Sequence, residues 1–320
     1  MMKNSSHNRL RYRSLLQKAV RRGHVDLAAT TSDLIENEEG QNWYTTRTAI
    51  ITFEECWPLG AELIFNKKFH SRVAALIKVA GTAKCRDAAG LGYLAHALFE
   101  GDTSVLDGSP EDRDLKLVAG SIKRPDDFWQ WIAEQEKSDR QAALIRNARR
   151  FKNEGLARDR AVARAAAHLV LSSPCPPITA VAPPEQVFPF WIAFDRHTIE
   201  GKLALRDVAR DLHIPLPQLE WSCFYFEGAK TNAQIDSQWW ERYCRWRFKK
   251  VGLPAEEAHL LWEPARPQVV EALARESRQL QNELYRWKIA NRQRIESLKQ
   301  QAQMFIAHFG DIRRSQLKLF

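Results

Sequence analysis

Asp195 and His197 stand two residues apart, just ahead of Thr198 and Glu200, and form the one compact cluster in this chain suited to acid, base or metal chemistry. In extended chain alternate side chains share a face, so a carboxylate and an imidazole at this spacing point the same way. A metal-dependent nuclease built on them needs a third acidic or imidazole ligand, and Glu200 is the nearby candidate. The same residues also spell a helix start: Thr198 as the N-cap, Asp195 and Glu200 answering the positive end of the helix dipole, and His197 bonding locally. That second reading leaves the cluster structural, so no catalytic residue is assigned and Asp195 with His197 stands as the alternative.

Other chemistry is missing at the level of motif. The chain has no GxxxxGK[ST] phosphate loop, no GxSxG, no HExxH and no CxxC, and its five cysteines are scattered. Reduced, mostly buried thiols are expected, with no cofactor. Glu54 and Glu55 are adjacent carboxylates, read as structural or salt-bridged. No apolar run approaches the roughly 20 residues that cross a bilayer, and the first residues lack the apolar stretch of a signal peptide. The expectation is a cytoplasmic protein.

Charge points to a polyanion. The net charge is +9 and the isoelectric point about 9.4, which favours nucleic acid among partners. Lys3, Arg9, Arg11, Arg13, Lys18, Arg21 and Arg22 all precede Asp26 with no acid between them. Each phosphate that such a cation neutralises adds about 0.9 to the salt slope of duplex affinity. A second basic stretch, from Trp239 to Lys250, interleaves aromatic and cationic residues, the mixture that stacks bases while holding phosphates. On a helix Trp239, Tyr243 and Trp246 share one stripe, and Arg242, Arg245 and Lys249 share another. Core packing of the aromatic stripe beside a basic surface is the plainer reading, with nucleic-acid or protein contact as the others. The candidate nucleic-acid-binding set is Arg9, Arg11, Arg13, Lys18, Arg21, Arg22, Arg242, Arg245, Lys249 and Lys250.

The elements that must position these residues read as helices. Leu15, Leu16, Ala19 and Val20, then Leu27, Leu34 and Ile35, then Ile50 and Phe53, recur at helical spacing. Gly23 suits a helix C′ position, Asp26 a cap for the next helix, and Trp57-Pro58 the end of a third. Arg72 to Phe99 reads as two helices joined around Thr82 to Asp87. After a loop at Gly101 to Pro110, Asp126 caps another start, and Gln141 to Val170 is amphipathic throughout. Six prolines between Ser172 and Pro189 mark an extended connector. Phe190 to Phe194 reads as a strand or a buried extended segment. Helices are expected at Thr198 to Leu212 and Asp236 to Val251. Pro267 to Phe309 is the longest periodic segment, with a slip of phase after Trp287, and as one helix it spans roughly 60 Å. The expected fold is mainly α, in four parts: a helical bundle over 1–105, a helical middle over 106–171, the connector over 172–189, and a C-terminal helical domain over 190–320 ending in the long amphipathic helix.

Ser14, Lys18, Val20, Arg21, Gly23 and Asp26, followed by Ile50, Ile51, Glu54, Glu55, Pro58, Leu59 and Gly60, fall at the spacing of a known pattern. They resemble the C-terminal oligomerisation collar of clamp-loader-like AAA+ ATPases of the replication-associated recombination protein A and Werner-helicase-interacting protein family. Lys78 to Phe99 sits where that family has its next helix pair. Asp195, His197, Thr198, Gly201 and Lys202 are similar to a stretch of stand-alone relatives of these collars. The family's ATPase, with its Gly-rich loop and its strand ending in Asp-Glu, has no counterpart here. The resemblance therefore implies a collar without its motor: a DNA-binding scaffold of replication or repair that forms a homo-oligomer and works with a separate AAA+ ATPase, as in phages and mobile elements. The rival readings are the nuclease above and a pure protein-interaction subunit of a phage or defence complex.

Overall fold

Apolar spacing in the first hundred residues produces five helices: α1 (Lys3–Arg21), α2 (Val25–Glu39), α3 (Asn42–Cys56), α4 (Phe69–Ala80) and α5 (Asp87–Phe99). The structure, a computed structural model, describes the chain from Lys3 to Leu317 apart from Ile64, Asn66, Glu154 and Ser173, with side chains from Arg9 to Ala307. Gly23 ends α1 at φ +77°, where Gly23 N–H bonds Val20 O at 3.3 Å and His24 N–H bonds Ala19 O at 2.9 Å. This is a Schellman closure, which needs a left-handed residue and so favours glycine. Asp26 does not cap α2. His24 holds that position without a side-chain bond, and Asp26 lies in the first turn, paired with Lys299 at 2.7 Å. Trp57-Pro58 does close α3, passing into a 3-10 turn over Trp57–Ala61.

The middle of the chain gives α6 (Asp112–Lys123), α7 (Pro125–Glu134), α8 (Asp139–Arg149) and α9 (Ala157–Ser172). Pro125 opens α7 at the first helical position, where its missing N–H costs nothing, and this moves Asp126 from the cap into the first turn. The amphipathic run from Gln141 to Val170 is two helices, and Ser138 with Gln141 closes a reciprocal capping box at the start of α8.

The proline-rich segment is extended, as its composition requires, and it is stitched into the bundle. Ala83 N–H bonds Thr179 O at 2.9 Å and Val181 N–H bonds Gly81 O at 3.0 Å. On the other side of the same link, Ile235 N–H bonds Lys84 O at 2.8 Å. The larger apolar core accordingly runs from Tyr12 through Phe188 to Leu284, and a second cluster gathers Ala89, Trp221, Trp240, Cys244 and Phe248.

Phe190–Ala193 is a 3-10 turn, not a strand. With no strand edge beside it, the segment satisfies its backbone locally, Phe194 N–H to Trp191 O at 3.0 Å, while Trp191, Ile192 and Phe194 are buried. Then follow α10 (Ile199–Asp211), α11 (Leu216–Cys223) running into a π-helical turn at Phe224–Gly228, α12 (Gln238–Lys250), α13 (Ala258–Ala272), α14 (Ala274–Ala290) and α15 (Arg292–Leu317). The long periodic segment is thus three helices, broken at Leu273 and at Asn291, where the phase slips. Its apolar residues Leu280, Leu284, Ile295, Leu298 and Ala302 are buried, with α15 lying along α4 and α2, so it wraps the bundle and does not project.

At the centre lies α5, sandwiched by α9 and α12. A Cβ on Gly90 would stand 2.3 Å from the Trp239 backbone, and one on Gly92 2.6 Å from Val162 Cα. Two glycines thereby let two helices touch the backbone of a third. The protein is mainly α, with fifteen α-helices and no named strand among the described residues. Among these residues no helix is long and apolar enough to cross a membrane. All five cysteines are free thiols, four of them buried; burial pushes Cys56 up to about 11.

Candidate functional site

The Asp195–Thr198 turn is a helix start in detail. Thr198 Oγ1 accepts from Gly201 N–H at 3.1 Å and donates to Asp195 O at 3.0 Å, while His197 N–H donates to Asp195 Oδ1 at 2.8 Å. The other carboxylate oxygen of Asp195 accepts from Ser14 Oγ at 3.2 Å and from Lys18 Nζ, so α1 and α10 are tied through it. Burial pushes the Asp195 carboxyl up, but Lys18 and His197 outweigh it and hold the group below its ordinary value. Partial burial of the ring pushes His197 down, and Arg196 and Lys18 add to this against the pull of Asp195. Asp195 and His197 are brought together, then, but the carboxylate is saturated by α1 and the turn. Among the described residues no three His, Cys, Asp or Glu side chains are grouped to hold a metal ion.

The basic residues of α1 are largely engaged inside the molecule. Arg11 reaches Glu283 at 2.8 Å, Arg13 pairs with Glu39, Arg21 donates through Nε to Glu55 at 2.8 Å, and Arg22 reaches Glu227 at 3.1 Å. Arg9 is exposed. The partners lie far along the chain, which is why the run reads in sequence as an unneutralised arm. On α12, Arg242 leaves the expected surface stripe: it is buried against the 105–112 loop, with Asp112, Ser109 and Val105 O as partners. Lys250 pairs with Asp102, Arg245 stands 3.9 Å from Glu241, and Lys249 is exposed. The apolar positions that a collar would turn toward sister subunits are enclosed here: Leu15, Leu16, Val20, Ile35, Ile50 and Phe53 are wholly buried within the chain.

Between α1, α3, α5, the start of α9, the 191–197 turn, α11 and α12 lies a cavity of about 280 Å³. Its lining includes seven cationic side chains, Arg13, Lys18, Arg21, Arg47, Arg86, Arg158 and Arg196, against four carboxylates, Glu54, Asp195, Glu220 and Glu227. The floor is an ionic lattice. Glu55, fully buried behind it, bonds Arg21 and stands 3.7 Å from Arg86 Nε, whose guanidinium lies 3.4 Å from the centre of the Trp240 ring. Burial pushes Glu55 up, yet Arg21 and Arg86 outweigh it and hold the carboxyl below its ordinary range. Glu54 faces the cavity and accepts from Gln17 Nε2 at 2.9 Å and Tyr93 OH at 2.7 Å.

The walls are aromatic. Tyr93 and Tyr243 have ring centres 5.1 Å apart, and Tyr243 meets Trp221 edge-on at 5.7 Å. Three guanidinium groups surround this cluster. Arg158 lies 5.1 Å over Tyr93, Arg247 lies 5.0 Å over Trp221, and Arg196 precedes exposed His197 at the rim. Among the described residues none of the three forms an ion pair, unlike the α1 cations beside them. A concave site with aromatic walls and cations outside ion pairs is chemically suited to planar, anionic groups.

Sequence reading missed Arg158, Arg196, Arg247 and Tyr93. Arg196 lies inside the Asp195–His197 cluster, whose acid and base spacing masks it, and Arg247 lies in the Trp239–Lys250 stretch but off both of its helical stripes. Arg158 and Tyr93 carry no local signal; only the packing of α9 and α12 on α5 brings them together. Comparison with known protein families, with curated proteins and with solved structures finds no match to this chain.

Proposed function

We propose that this protein binds nucleic acid as a non-catalytic accessory factor, a DNA-binding scaffold of a replication or repair assembly. The observation that carries this is the convergence of Arg158, Arg196 and Arg247, none of them in an ion pair among the described residues, on the half-buried Tyr93–Tyr243 pair and the buried Trp221 behind it. Stacking faces beside unneutralised cations are what single-stranded nucleic acid requires. The candidate set from sequence narrows accordingly: Arg9, Arg245 and Lys249 stay available at the surface, whereas Arg21 and Arg242 are buried in ion pairs. The resemblance to clamp-loader collars adds self-association and a separate AAA+ ATPase as partner. Because the collar's apolar face is buried here, such contacts fall elsewhere; Leu260, Tyr285, Ile289 and Met304, exposed on α13 to α15, supply apolar surface for them. The nuclease alternative lacks comparable support, since Lys18 and Ser14 already occupy the Asp195 carboxylate.

The test is fluorescence anisotropy with a labelled single-stranded oligonucleotide at low salt. The wild type binds, and the triple variant Arg158→Ala/Arg196→Ala/Arg247→Ala loses affinity by about 100-fold, three phosphate or stacking contacts at about 1 kcal/mol each. Unchanged affinity in the triple variant contradicts the assignment.

A further inference from the structure

We infer that the cavity between α1, α5 and α12 is a pocket for one nucleotide bearing a phosphomonoester, with its base against the aromatic wall and its phosphate on Arg158 and Arg196. The inference deepens the nucleic-acid reading and rests on it for the source of that nucleotide, the end of a strand; a free mononucleotide presents the same chemistry.

Size comes first. At about 280 Å³ the cavity lies at the lower limit of ~300 Å³ for small-molecule sites, so it admits one nucleotide unit and not a stacked run. A base within a duplex stays in its stack unless it is extruded at a cost of a few kcal/mol, whereas a terminal or single-stranded base is already free to enter. Charge comes second. Inner cations of the cavity are answered by acids: Lys18 by Asp195, and Arg21 and Arg86 by Glu55. The lining cations outside any ion pair among the described residues are Arg158 and Arg196 at the rim beside the two tyrosines, with Glu54 acting on Arg158 from within the cavity. Two planar forks suit a terminal phosphate, which carries more charge and one more free oxygen than an internal phosphodiester. Shape comes third: Tyr93 and Tyr243 form a hydrophobic face, and Glu54 behind it is an acceptor held in place by Gln17 and Tyr93. A carboxylate there accepts from an exocyclic amino group, as adenine or cytosine would offer.

Isothermal titration calorimetry of the full chain distinguishes the sources. The probes are AMP, dCMP, inorganic phosphate, and one oligodeoxycytidylate carrying a 5′-phosphate, a 3′-phosphate or hydroxyl ends. The expected result is that an end-phosphorylated strand binds at least about tenfold tighter than the hydroxyl-ended strand, as befits a lost charge-assisted contact. AMP competes with that strand, and inorganic phosphate competes far less. Arg196→Ala, at the half-exposed rim, removes the end preference by weakening the end-phosphorylated strand at least about tenfold more than the hydroxyl-ended one; Lys249→Ala leaves the preference intact. Circular dichroism melting confirms that both variants fold. A protein that binds hydroxyl-ended DNA but shows no end preference and no AMP competition overturns the pocket and keeps the nucleic-acid reading. One that binds AMP and ignores every strand keeps the pocket, with a free nucleotide as its ligand, and overturns the nucleic-acid reading. An end preference that survives both Arg196→Ala and Arg158→Ala also overturns the pocket.

Discussion

Replacing Glu55 with glutamine tests the ionic lattice beneath the cavity. Glu55 is fully buried, bonded to Arg21 Nε at 2.8 Å and 3.7 Å from Arg86 Nε, and Arg21 in turn donates to Gly228 O. The carboxylate thereby joins α1, α3, the start of α5 and the π-helical turn. Glutamine keeps the volume, so no cavity opens; what changes is that two buried guanidinium groups lose their counter-charge. Breaking a buried pair in this way costs about 3–5 kcal/mol. With a urea slope of ~3 kcal/mol/M, the unfolding midpoint falls by about 1–1.7 M. Glu241→Gln, which removes an exposed carboxylate 3.9 Å from Arg245, is the control and costs under about 0.5 kcal/mol. The two effects separate further with pH. Because the folded Glu55 carboxyl lies below its unfolded value of ~4.3, its contribution is fully present above that value and disappears as pH falls through the folded one. The wild type therefore loses stability across that acid window relative to Glu55→Gln. A Glu55→Gln midpoint within about 0.3 M of wild type refutes the lattice as a stabilising element.

Arg164 is nearly fully buried, with Nε and Nη1 unbonded in the structure and burial, with Arg160 nearby, pushing it down to about 10. Arg164→Met therefore leaves the melting temperature unchanged or raises it, by about 2–4 °C per kcal/mol regained, and a fall of more than that in calorimetry contradicts the assignment. Gly92→Ala places a Cβ 2.6 Å from Val162 Cα, so α9 must move; a loss of about 1–3 kcal/mol is expected in urea unfolding, and a neutral result means that the α5–α9 contact is looser than described. Lys84 is fully buried, its amine donating to Val79 O at 2.8 Å and Thr82 O at 2.6 Å, and burial pushes it down to about 8. The unfolded chain then binds more protons, so between pH ~8 and ~10.4 the wild type gains stability relative to Lys84→Met; equal midpoints at both ends of that range speak against a buried, destabilised ammonium.

Much of the helical outline was legible because it depends on local chemistry. Thr198 as an N-cap, Gly23 as a left-handed terminus and Trp57-Pro58 as a stop are decided within a few residues. Where a boundary depended on competition between neighbours, reading failed: Pro125 displaced Asp126, and the run from Pro267, read as one helix despite its slip of phase after Trp287, breaks at Asn291. The site was less visible still. Charge along α1 is plain in sequence, but the acids that quench it, Glu283, Asp195, Glu55 and Glu227, are recruited from α14, the 195 turn, α3 and the π-helical turn. The cations left unquenched, Arg158, Arg196 and Arg247, were visible only as members of ordinary basic stretches. A sequence shows where charges are; which survive unpaired is a property of the packing.

The most direct measurement is the salt dependence of single-stranded oligonucleotide affinity, log K against log salt between about 50 and 200 mM, for wild type and Arg158→Ala/Arg196→Ala/Arg247→Ala. Each cation on a phosphate of single-stranded nucleic acid contributes about 0.7 to the slope, so the triple variant is predicted to be shallower by about 2. Equal slopes for the two proteins, or no affinity at the lowest salt, would contradict the account.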